Sequence, residues 1–310
     1  GRGQVVGIVG EPGIGKSRLV YEFRKSVDNA RVIWLEAHCA ADGQATPYAP
    51  ILEILSTNFH IEEGDTATQI EEKLRQGLRR IDGDLERILG SLREPFGLPE
   101  SDEALKHLTP PEKRQKAFEA IRTLTVAGSQ RRPHVLIVED LHWIDKTSED
   151  YLAFFIESLA GLPVLLITTH RPGYSMRWAD KTYYTQIALD QLSTTEVDAM
   201  VQRLLGTRDV PQDLTRRIYD KAEGNPLFVE EIVASLRERK LLLSRDRGFA
   251  WAQGAMVDFP GTVHDIIRAR LDRLVEPVKR TVQTAAVIGR KFGLQVLTLV
   301  SATAQQIESH

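Results

Sequence analysis

The stretch Gly10-Glu11-Pro12-Gly13-Ile14-Gly15-Lys16-Ser17 sets three glycines ahead of a lysine and a hydroxyl. That order suits an anion with many oxygens. Glycines let the backbone curl until successive N–H groups point inward at phosphate oxygens, and Pro12 stiffens the curl. Lys16 adds a mobile positive charge for the terminal phosphates, and the Ser17 hydroxyl is a magnesium ligand. A second group is the adjacent pair Glu139 and Asp140, which closes an apolar run. One such carboxylate can hold magnesium through water while the other orients an attacking water. Position gives the metal to Glu139 and the water to Asp140. A third group is Thr168-Thr169-His170-Arg171-Pro172, where Thr169 or Arg171 can register a terminal phosphate.

These residues need a sheet edge to meet. Gln4 to Val9 reads as a buried strand, and Leu19, Val20, Phe23 and Val27 give the following segment a helical spacing. Arg31 to Ala37 reads as a second strand. Val135-Leu136-Ile137-Val138 and Val164 to Thr169 are β-branched runs of the kind buried on both faces, and Thr185 to Leu189 is a fifth candidate. The chain between His38 and Pro133 shows helical patterns only, around Ile51 to Leu55, Thr66 to Arg80 and Pro110 to Val126. The last opens on a capping box, Thr109 to Glu112. Gly90 to Glu103, rich in Pro, Gly and acids, reads as a mobile loop. The pairs Arg79, Arg80 and Lys113, Arg114 read as solvated helix faces. Thr147 to Asp150 reads as another capping box. Strands alternating with helices predict a parallel three-layer α/β sheet, with the carboxylates at the ligand-facing strand ends beside the loop.

Beyond Asp190 the pattern turns helical. Ser193 to Glu196 caps a helix ended by Gly206, and helices follow over Gln212 to Ala222 and Pro226 to Arg239. Gly224-Asn225-Pro226 reads as a helix stop, a cap and an N1 proline. Leu241 to Trp251 reads as a hairpin, Thr262 to Asp265 as a cap, and a last helix near Pro277 ends at Gly289. The domains expected are a nucleotide-binding one over 1–190 with a helical insertion near 40–133, a helical lid over 191–240 and a winged-helix-like one over 241–310.

Composition narrows the class. With 310 residues, 42% hydrophobic and 27% charged, this is an ordinary globular chain large enough for two domains. The net charge of −3 creates no general field toward nucleic acid or membrane. One cysteine, Cys39, excludes an internal disulfide and suits a reducing cytoplasm. No second ligand pair accompanies His38 and Cys39, so a buried strand end is expected there rather than a metal. No apolar run of about 18 residues and no signal peptide occur. The first strand starts at once and the last helical pattern runs into the terminus, which predicts a segment of a longer protein.

Four motifs in order carry a resemblance: the loop with Arg18 and Leu19 after it, Val-Glu-Asp-Leu-His-Trp-Ile-Asp from Val138, Thr-His-Arg-Pro from Thr169, and Glu-Gly-Asn-Pro-Leu-Phe-Val-Glu-Glu-Ile from Glu223. Together they resemble the AAA-type (Orc1-like) ATPase module of the STAND class, as found in large LuxR-type activators and in proteins joining a class III nucleotide cyclase to tetratricopeptide repeats. Pro260 to Phe292 resembles the winged-helix part of that module. The resemblance implies ATP, ADP and Mg2+ as ligands, with Gly10 to Arg18 along the nucleotide and Arg171 as the sensor. It also implies that Pro226 packs near the adenine. ADP would hold a closed state, while ATP with an unknown inducer would open it toward self-assembly. Two departures stand out. The segment ahead of the first strand that helps hold adenine is missing, and His264 alone stands for the phosphate-reading histidine of some relatives.

Two other classes compete. A small-molecule phosphotransferase needs an arginine-rich lid, and Tyr174 to Tyr184 offers only Arg177 and Lys181. An initiator-like DNA-binding ATPase would read DNA with Thr262 to Val300, where seven Lys/Arg face three Asp/Glu without an aromatic cluster.

Overall fold

The computed structural model describes residues 2–28, 30–99, 102–238, 242–245, 248–251, 268, 270–272, 274–288 and 294–300. The chain divides into two compact units: Gly1–Glu11 with Lys16–Leu189, and Pro12–Gly15 with Asp190–His310.

The first unit is built from β1 (Gln4–Val9), α1 (Lys16–Ser26), β2 (Ile33–His38), α2 (Ala49–Phe59), α3 (Ala67–Ile81), α4 (Leu89–Arg93), α5 (Glu103–Lys106), α6 (Pro110–Arg131), β3 (His134–Glu139), α7 (Lys146–Glu157), β4 (Val164–His170) and β5 (Tyr184–Ala188). The five strands form one parallel sheet in the order β2-β3-β4-β1-β5. Parallel sheets are covered on both faces, and β3 is buried at all six residues. The pleat separates two cores. Val6, Ile8, Val135, Ile137 and Ile167 pack with Val20 and Phe23 of α1. Val5, Leu136, Val138 and Leu166 face a larger core with Ile51, Leu74, Leu92, Ile121 and Phe155 of α2, α3, α4, α6 and α7.

Local signals explain most helix starts. The Thr109–Glu112 box is present, with the Glu112 carboxylate accepting from the Thr109 N–H at 2.7 Å. A similar box joins Thr66 and Gln69 at the head of α3. Two expectations are corrected. The stretch Gly90 to Glu103 is not all loop, because Leu89 and Leu92 are buried and anchor α4 there. The cap of α7 is Asp145 rather than Thr147; its Oδ1 accepts from Ser148 N at 2.9 Å and from Tyr48 N at 3.1 Å.

The first residue of β3, His134, is only 6% exposed. Burial, aided by the Arg132 charge, pushes its imidazole down to about 4 from the ordinary 6.5. Between those pH values the unfolded chain binds a proton that the folded one refuses. Stability from this group is therefore full above pH 6.5 and is lost as pH falls toward 4, by about 3 kcal/mol. Denaturant midpoints for His134→Gln should lack that part of the acid slope. An unchanged slope would contradict the assignment.

The second unit packs α8 (Thr194–Leu205), α9 (Gln212–Ala222) and α10 (Pro226–Glu238) around Val201, Leu214, Ile218, Val229, Ile232 and Leu236. The Ser193–Glu196 box opens α8, and Gly206 at φ 72° closes it. An antiparallel pair, β6 (Leu242–Arg245) and β7 (Gly248–Trp251), follows, then α11 (Glu276–Ile288) and α12 (Leu294–Val300). The cap expected at Thr262, the helix end at Gly289, His264 and the ends of Pro260 to Phe292 lie outside the described residues. Among the described residues, no helix is long and apolar enough to cross a membrane.

Candidate nucleotide site

All five strands end at the same edge of the sheet, and the register sets neighbours there: Val9 beside His170, Val138 beside Thr168, His38 beside Glu139. The loop leaves β1 at this edge. Gly13 and Gly15 take φ values of 79° and 106°, the left-handed half of the map, which the curl requires and L side chains resist. Lys16 opens α1 and is buried. Its ammonium donates to the Gly10 carbonyl at 2.8 Å and the Glu11 carbonyl at 3.1 Å. Burial lowers its pKa; Arg171 adds to that effect, while Asp140, Glu11 and Glu139 oppose it. A cation held in a desolvated loop by carbonyl oxygens alone suits a multiply charged anion.

Two strands away, Glu139 ends β3 and is only 6% exposed, and the Ser17 hydroxyl donates to its carboxylate. The hydroxyl after the loop and the strand-end carboxylate thus reach a common point, as shared ligation of one magnesium ion needs. The next residue, Asp140, has φ 59°, a strained left-handed conformation fixed by its N–H donating to the buried Thr169 hydroxyl at 2.9 Å. β4 lies between the loop strand and the carboxylate strand, so Thr168 and Thr169 are central. Arg171, just past β4, is exposed and close enough to act on Lys16 and His142.

Several residues stand here without having been singled out. Both ring nitrogens of His142 and Nδ1 of His170 are buried with no hydrogen-bond partner among the described residues. Burial lowers both pKa values; Arg171 and Lys16 deepen the effect at His142 against Asp140, and His142 and Lys16 do so at His170. Two neutral imidazoles with unused donors beside Lys16, Asp140 and Arg171 fit a bound phosphate. Both lie inside stretches quoted for the family resemblance, and that was the signal available. Beside the buried Cys39, the strand end expected there is His38, the last residue of β2. Its ring meets the carboxylates of Glu36, Glu53 and Glu139 at 3.6, 3.4 and 4.0 Å. Glu36, His38 and Glu139 together are close enough to hold a cation. Arg18, by contrast, lies on the exposed side of α1 and pairs with Glu22 at 2.8 Å.

The loop residues Pro12–Gly15 group with the second unit. Within it, the Asn225 carboxamide donates to the Pro12 carbonyl at 2.9 Å, and Leu227 N–H donates to the Gly13 carbonyl at 3.3 Å. Asn225 Oδ1 also accepts from Leu227 N at 3.1 Å, capping α10. Glu223 and Gly224, both left-handed, break the chain between α9 and α10. Pro226 follows as the first residue of α10. The polar contacts to the loop come from its two neighbours.

Residues 1–167 match the AAA ATPase domain family, more than half of the chain. The chain belongs to that family. The AAA ATPase match is followed by one to a domain of unknown function (DUF8739) over residues 193–246. An uncharacterized protein of Rhizobium meliloti (strain 1021) is 30% identical to this AAA ATPase over 309 residues, 96% of this chain and 28% of that protein. The chain therefore spans under a third of that curated relative. A crystal structure of a STAND protein (signal transduction ATPase with numerous domains) with a tetratricopeptide repeat sensor, from Pyrococcus horikoshii, is similar at 16% identity and TM-score 0.43. The match covers 97% of this chain and 33% of that one. Drosophila ORC bound to DNA is similar at 15% identity and TM-score 0.39, over 76% and 55% of the two chains. Likeness at that level says nothing about what this chain binds.

Proposed function

We propose that this chain is the nucleotide-responsive switch of a multidomain bacterial regulator of the STAND class, a slow ATPase whose helical unit follows the state of the phosphate loop. The observation that carries the reading is the division of one loop. Gly10, Glu11 and Lys16 go with the parallel sheet, while Pro12–Gly15 go with the helices that carry Asn225.

When bound, magnesium–ATP would supply the electrophilic γ-phosphorus and its leaving group. Lys16 would replace its two carbonyl partners by β- and γ-phosphate oxygens. Ser17 and Glu139 would hold the ion. Asp140, aimed by Thr169, would orient the attacking water, and Arg171 with the Thr169 hydroxyl would meet the terminal phosphate. Loss of that phosphate would change what Pro12–Gly15 present to Asn225 and Leu227, which gives the helical unit something to read. Pro226 would sit beside the base. An inducer, self-assembly and a cyclase or DNA-binding output would complete the cycle elsewhere in a longer cytoplasmic chain. The hairpin β6–β7 is compatible with the winged-helix part of such a module.

Two measurements test the switch. Turnover without any partner should fall well below the median enzyme rate of about 10 per second; a fast basal rate would favour a motor or a transferase. Asn225→Ala removes one hydrogen bond to the loop, worth about 1 kcal/mol, so release of a fluorescent ADP should quicken about fivefold. Unchanged release would mean that the helices do not read the loop.

A further inference from the structure

We propose that the first unit holds a second ligand, a small monocarboxylate with an apolar body, in a cavity on the face of the sheet opposite α1. The cavity has a volume of about 280 Å3 and lies under α2, α3, α6 and α7. Leu35, Leu136 and Val138 form its floor, and Ile51, Leu124 and Phe155 are among its walls. Protein interiors seldom keep voids larger than a water molecule, because the lining atoms lose their dispersion partners. An engineered apolar cavity of about 150 Å3 takes up benzene, so this one suits a chain of about eight carbons or a two-ring acid.

The polar lining selects the head group. Arg80, Arg131 and Arg132 line the cavity, and no Asp or Glu does. Arg131 is tied to the Arg80 carbonyl at 2.7 Å and to the Ile81 carbonyl at the end of α3. Arg80 and Arg132 are exposed, and neither has a carboxylate partner among the described residues. His134 points to the same conclusion independently. It lines the cavity and is 6% exposed, and its Nδ1 has no partner among the described residues. Gly128 lets α6 pass against the ring; a Cβ there would stand 2.8 Å from His134 Cε1. An imidazole kept neutral by burial can give one hydrogen bond to a carboxylate that the arginines attract.

The site is distinct from the nucleotide site. His134 is the first residue of β3 and Glu139 the last, about 16 Å apart along the strand. Val138 lines the cavity and directly precedes Glu139, so an occupant would touch the strand that carries the metal-facing carboxylate.

The test uses the whole chain, with octanoate and 1-octanol as probes, in titration calorimetry at low salt. Wild type should bind octanoate more tightly than octanol. Arg80→Ala/Arg132→Ala should weaken octanoate at least tenfold and leave octanol within twofold. Leu124→Trp, which fills the cavity, should abolish both while ATP binding persists. No binding of either probe to wild type would overturn the proposal. So would octanoate binding that ignores the arginine changes, or that survives in a folded Leu124→Trp. If Leu124→Trp does not fold, the arginine variant decides alone. ATP binding, measured in the same samples, reports separately on the phosphate loop.

Discussion

Replacing Lys16 by alanine is expected to weaken ATP binding by at least about a hundredfold. The side chain is buried, and its ammonium is the cation that the loop encloses, held between the Gly10 and Glu11 carbonyls. Hydrogen bonds from a charged donor contribute about 1.5–3 kcal/mol each, and this group would make at least one to each of two phosphates. A loss of about 3 kcal/mol is more than two decades in affinity. Fluorescence titration with a labelled ATP analogue measures it, with circular dichroism to show that the fold persists. Affinity within about threefold of wild type would remove the loop from nucleotide binding. The lowered pKa of Lys16 adds a sign: its charge is lost at a lower pH than an exposed lysine's, so affinity should decline earlier on the alkaline side.

The second large effect separates the two adjacent acids. Asp140→Asn should leave ATP affinity within about threefold while lowering hydrolysis about a hundredfold, since a water-orienting carboxylate acts in the chemical step. Glu139→Gln should weaken magnesium-dependent binding itself, because that carboxylate faces the Ser17 hydroxyl. Single-turnover rates beside equilibrium titrations separate the two quantities. Collapse of binding in Asp140→Asn with binding intact in Glu139→Gln would exchange the two roles.

What the sequence made legible was what neighbouring residues decide. The glycine loop, the β-branched runs before Glu139 and through Thr169, and the boxes at Thr109 and Ser193 were all readable, because their signals span a few residues. The order of the strands, with β4 between β1 and β3, is fixed by pairing across the sheet rather than by any one stretch. The misses arise from long-range contacts. Asp145 outcompetes the local Thr147–Asp150 pattern because its carboxylate also takes the N–H of Tyr48, 97 residues away. The Pro and Gly content of Gly90 to Glu103 hid α4, whose leucines find a core made by other helices. His142 and His170 meet only once β3 and β4 pair. Asn225 reaches Pro12 across 213 residues, a contact that no local pattern announces. Arg80 is exposed, as expected, but the cavity it borders exists only when α3 and α6 close over the sheet.

The central claim is that one magnesium ion is shared by the hydroxyl after the loop and the acid at the end of β3. The magnesium dependence of ATP affinity across the cycle Ser17→Ala, Glu139→Gln and the double variant tests it most directly. If the ion is shared, each single change should remove most of the metal's effect, and the double should be no worse than the worse single. Additive losses, or a full magnesium effect surviving in both single variants, would contradict the account.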